Sequence, residues 1–129
     1  MGAGHTAFSA GDLVRAAAQA DFVEKLLGPL ASRAGDLEVT RKLGEARLLA
    51  ADVFAARGNH TRARELRESA LSTILARPEA GSDLRMSAIR AIALLGLGRV
   101  DEARPIVEHL IELGYRHPTL MSAWRPYAR

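Results

Sequence analysis

The stretch from Leu95 to Pro118, LGLGRVDEARPIVEHLIELGYRHP, constrains the chain most: it reads as a helix end, a tight turn and a second helix packed back on the first. Gly98 can take the left-handed conformation that ends a helix, because it has no Cβ to clash. Asp101 and Glu102 put negative charge in the first turn of the next helix, where unbonded N–H groups favour it. Ala103 is small enough for the two helices to approach closely. Ile106, Val107, Leu110 and Ile111 form one apolar face at helical spacing.

The same periodicity runs through the rest of the chain. Leu13, Ala16, Ala17, Ala20, Val23, Leu27, Leu30 and Ala34 predict a first helix over 10–34, broken or kinked at Gly28-Pro29. Asp36 is set to cap a second helix over 37–57, with Leu43, Ala46, Ala50, Val53 and Phe54 inward and Gly58-Asn59 as its stop. A third, over 61–75, turns Ala63, Leu66, Ala70 and Ile74 inward and sets Arg64 against Glu68 in solvent. After a loop at 77–82, a fourth runs from Ser82 or Asp83 to Leu97 and a fifth from Asp101 to Leu113. A short sixth opens at Pro118 and ends at Pro126.

No stretch alternates apolar and polar residues long enough to make a strand, and aromatics are only 5% of the chain against 48% apolar. The expectation is an all-α fold of five to six helices. At 129 residues there is room for one domain, placed over 9–129, with residues 1–8 as an N-terminal leader that is either flexible or foreign to the natural chain. The absence of cysteine excludes disulfides and thiolate chemistry and fits a reducing, cytoplasmic setting. No apolar run approaches the roughly 18 residues that span a membrane, and the opening MGAGHTAFSAGD lacks the order of a signal peptide. Net charge is +3 with a pI near 9.9. Its sixteen arginines are scattered singly, where a nucleic-acid surface would cluster them with aromatics.

Shifting the sequence by forty residues lays its middle over its end. Ala51 falls on Ala91, Phe54 on Leu94, Gly58 on Gly98, Ala63 on Ala103, Arg64 on Arg104 and Ala70 on Leu110. Such self-similarity marks stacked helix pairs, because one pair cannot bury its apolar face alone. The order of small residue, large apolar residue, glycine and alanine resembles the tetratricopeptide repeat, over residues 44–75 and 84–115. That family's unit is about 34 residues, so the loop at 77–82 takes up the excess. Arg47 and Ser87 stand where the family favours tryptophan, Arg67 where it favours an aromatic, and the closing proline comes late, at Pro118. The ending LGYRHP is also similar to the close of helical-repeat regions in large bacterial signalling and regulatory proteins.

The resemblance implies a right-handed superhelix of antiparallel hairpins, flanked by helices over 10–34 and 118–124. It also implies a concave groove lined by the first helix of each pair. Here that face draws on Glu45, Leu48, Leu49, Asp52, Ala56, Arg85, Ile89 and Ile92. Arg90 is the only charge between Met86 and Gly98, and Asp52 the only one between Leu48 and Ala56, so the two are expected to pair. Tyr115, Leu120 and Trp124 should fold back over the fifth helix and seal the end.

Nothing in the chain builds an enzyme. His109 with Glu112 is the only helical pair at metal-ligand spacing, and a lone His–Glu pair is usually a solvated one. No nucleophile elbow or phosphate loop occurs, so neither metal nor cofactor is expected. The expected role is a non-catalytic protein-interaction module whose groove takes a peptide, a partner helix or a second copy. The alternative is a helical domain that binds nucleic acid through its arginines.

Overall fold

The computed structural model describes residues 14, 15, 18, 19, 21–26, 37–77 and 83–128. Among these the only regular secondary structure is helix. The expected leader, the break at Gly28-Pro29, the cap at Asp36 and most of the loop at 77–82 lie outside the described residues.

A helical stretch at 21–26 precedes five helices: α1 (Leu37–Ala56), α2 (His60–Leu75), α3 (Leu84–Gly96), α4 (Val100–Glu112) and α5 (Pro118–Trp124). A 3-10 turn, Arg125–Tyr127, follows. Pro126 was expected to end the last helix. It lies instead in the first positions of that turn, where its missing N–H has no bond to lose.

The glycine stops operate by one mechanism used three times. Gly58, Gly98 and Gly114 have φ of 85°, 78° and 84°. Gly98 N–H donates to Leu95 O at 3.1 Å and Arg99 N–H to Leu94 O at 2.9 Å. Forty residues earlier Gly58 N–H donates to Ala55 O at 3.0 Å and Asn59 N–H to Phe54 O at 2.8 Å. These paired bonds satisfy carbonyls that a helix end leaves open. The next helix is capped differently in the two cases. Asn59 accepts the N–H of Arg62 through its side chain, whereas Arg99 turns its guanidinium onto Glu102, Nη2 to Oε1 at 2.8 Å.

Helix α3 is the centre of the fold, and it packs against α1, α2, α4 and α5. Met86, Ala88, Ile89, Ala91, Ala93, Leu94 and Leu95 are all buried, as a helix apolar nearly all round requires. Alanines at its contacts, such as Ala70, Ala91 and Ala103, have no exposed surface. A smaller cluster of Ala50, Ala51, Ala63 and Leu66 lies between α1 and α2, with Phe54 half-buried against it. Phe54 faces inward as expected, and its outer face carries the Arg62 guanidinium, 6.0 Å from the ring centre. Arg62 also reaches Glu65 at 3.4 Å, and this pair stands where Arg64–Glu68 was expected.

The tail folds back, but onto a different helix from the one expected. Leu120 and Trp124 join the central cluster, and α5 packs chiefly on α3. The fifth predicted helix, here α4, contributes Arg104, whose guanidinium sits 5.0 Å above the Trp124 ring.

Candidate functional site

Between α1, α3 and the chain entering α5 lies a cleft of about 340 Å³. Helical spacing puts its α1 members, Glu45, Leu48, Leu49 and Asp52, on one face, and its α3 members, Arg85, Ala88, Ile89 and Ile92, on the facing one. The structure therefore brings together seven of the nine residues singled out from the sequence. Ala56 is one exception and Arg90 the other. Arg90 is one position round the helix from Ile89, a rotation of about 100°, and it is exposed to solvent away from the cleft.

The expected Arg90–Asp52 pair is replaced by another. Asp52 Oδ1 accepts from Arg67 Nη2 of α2 at 3.2 Å. Arg67 reaches it by lying across Gly96, where an added Cβ would stand only 2.6 Å from Nε. Arg67 thus joins three helices, and the glycine opposite makes the room. Arg90 has its electrostatic effect on Glu102 instead.

Leu48 and Ile89, expected as exposed groove residues, prove to be core. They are 8% and 3% exposed and form the floor. Leu49, at 45% exposed, and the half-buried Ile92 are the accessible apolar groups. Ala56 sits at the exposed end of α1 and does not line the cleft.

The opposite wall was missed from sequence. Tyr115, His117, Thr119 and Leu120 supply it. The signal was the Gly114 stop followed by Pro118, which turns the chain back over α3. Tyr115 and His117 stack at 6.3 Å between ring centres, and His117 Nδ1 accepts the Thr119 N–H at 3.2 Å.

Arg47 makes a second joint. Its Nε and Nη2 donate to Glu24 at 2.8 and 2.6 Å, and Nη1 donates to Thr73 of α2. It ties the helical stretch at 21–26 to α1 and α2. Beside it a second, apolar cleft of about 480 Å³ opens between Phe22, Val23 and Leu49.

Many arginines are bound to carboxylates: Arg41 to Glu38 and Glu45, Arg62 to Glu65, Arg67 to Asp52 and Arg99 to Glu102. Hydrogen bonds from Arg41 and Arg99 hold the carboxyls of Glu38 and Glu102 below their ordinary range. A depressed carboxyl pKa adds stability that is fully present above the unfolded-state value and is lost as pH falls through the folded-state value. Urea midpoints should accordingly hold steady from neutral pH to about 5 and drop below it. The double variant Arg41→Gln, Arg99→Gln should flatten that drop; an unchanged acid limb would refute the assignment.

Among the described residues no group of three or more metal-ligating side chains occurs, and no helix is long and apolar enough to cross a membrane. No protein family, curated protein or solved structure matches the chain.

Proposed function

We propose that the protein is a non-catalytic interaction module, built from two tetratricopeptide-like hairpins, that binds a short protein segment in the α1–α3 cleft. The observation that carries this reading is the cleft itself: an apolar floor with a polar rim, formed by the first helix of each pair. The matched turns at Gly58 and Gly98, forty residues apart, support the repeat assignment. The bacterial cytoplasm suggested by the sequence belongs to the same proposal. So few accessible apolar groups give modest affinity, micromolar at best, once ordering costs are subtracted.

A displayed library of random peptides, selected on the folded protein, tests this. Selection should converge, and the chosen peptide should perturb the methyl signals of Ile89 and Ile92. Leu49→Glu with Ile92→Glu, placed at accessible positions so that the core is spared, should abolish binding. Binding that survives in the folded double variant shows that the cleft is not the working surface.

A further inference from the structure

We infer that the segment bound in the α1–α3 cleft is acidic, and that Arg85 takes one of its side-chain carboxylates. This inference rests on the docking role proposed above and adds the chemistry of the occupant.

The polar groups of the cleft differ in how far the protein already uses them. The acceptors are engaged: Glu45 Oε2 receives Arg41 Nη1 at 2.9 Å, and Asp52 Oδ1 receives Arg67 Nη2 at 3.2 Å. Both arginines approach from outside the cleft lining. The donors are not engaged. The Arg85 side chain is exposed and makes no hydrogen bond or ion pair with a described residue; its charge is felt at Glu38, without a bond. Arg41, Arg47, Arg62, Arg67 and Arg99 each hold a carboxylate, whereas Arg57, Arg64, Arg85, Arg90, Arg116 and Arg125 hold none among the described residues, and of these six Arg85 is the one that lines the cleft.

Across the cleft His117 Nδ1 accepts the Thr119 N–H, so Nε2 is the donor of that ring. The hydroxyls of Thr119 and Tyr115 also make no hydrogen bond among the described residues. A guanidinium offers five N–H donors in a fork that matches a carboxylate. Arg85 is therefore the one fully charged group of the cleft lining that has no counter-charge among the described residues, and an occupant that answers it must bring an acceptor. A basic segment would meet carboxylates already neutralised and an uncompensated arginine.

The same peptide library supplies the probe. Selected sequences should combine apolar residues with Asp or Glu, enriched over the starting pool, and the acidic enrichment should vanish when selection is repeated on Arg85→Gln. Exchanging the acidic side chain of a selected, end-capped peptide for its amide should weaken binding about tenfold on the native protein, the scale of one charge-assisted hydrogen bond. The exchange should have little effect on Arg85→Gln. Apolar but acid-free sequences, or an equal loss on both proteins, would overturn the assignment to Arg85 and leave the docking role standing. No enrichment at all would overturn both. Arg85 is exposed on the first turn of α3, so its variant retains the fold.

Discussion

Replacing Trp124 with alanine should lower the unfolding free energy by about 3–5 kcal/mol, the range for a buried aromatic. Trp124 is 6% exposed and belongs to the central cluster with Leu120 and the residues of α3. Its removal deletes apolar burial, leaves a void beside α3 and strands Arg104, which has lain against the indole face. The measurement is urea unfolding followed by far-ultraviolet circular dichroism, since the substitution removes the chain's only tryptophan. Tyr127→Ala serves as the comparison: Tyr127 is half-buried and only tilted against Trp124 at 6.5 Å, so its loss should be clearly smaller. A Trp124→Ala loss under about 1 kcal/mol, the size of an ordinary surface change, would mean that the tail does not seal the fold.

Ala103→Leu should cost about 1–3 kcal/mol, the usual penalty for forcing extra methylenes into a packed core. Ala103 has no exposed surface and opens α4 just beyond the Gly98 turn. Alanine and leucine form helices almost equally well, so propensity does not mask the effect. Ala103→Gly provides the contrast, because it keeps the close approach and loses only about 1 kcal/mol of helix propensity. Thermal unfolding of the three proteins should rank native above glycine above leucine. A leucine variant as stable as the native protein would show that the α3–α4 approach does not depend on a small residue.

The helices and their ends were accessible from sequence because their causes are local. Gly58, Gly98 and Gly114 each take the left-handed conformation, and α3 is buried along most of its length as its near-absence of charge required. The cleft residues of α1 and α3 were indicated by the tetratricopeptide resemblance, which singled out the first helix of each pair. What could not be read was partner choice among charged groups. Asp52 had two arginines within conceivable reach. The winner, Arg67, was decided by the bare backbone of Gly96, an arrangement in space that neither residue signals in the sequence. Arg47 bridging to Glu24 was hidden for the same reason, being a contact between distant segments. The tail wall needed the direction in which Pro118 sends the chain, and that direction is a tertiary fact.

The floor of the cleft is also the core of the protein. Leu48, Ile89 and Leu120 line the site and are buried among the residues that hold the helices together. Under the proposed docking role, selection on such residues would serve folding and recognition at once, and a change that reshapes the floor for a new partner would be charged against stability. Freedom to diverge therefore falls to the rim, where Leu49 and Arg85 are exposed and can vary with little effect on the fold. Relatives with other partners should differ first at those positions, keeping one scaffold while the identity of the guest drifts.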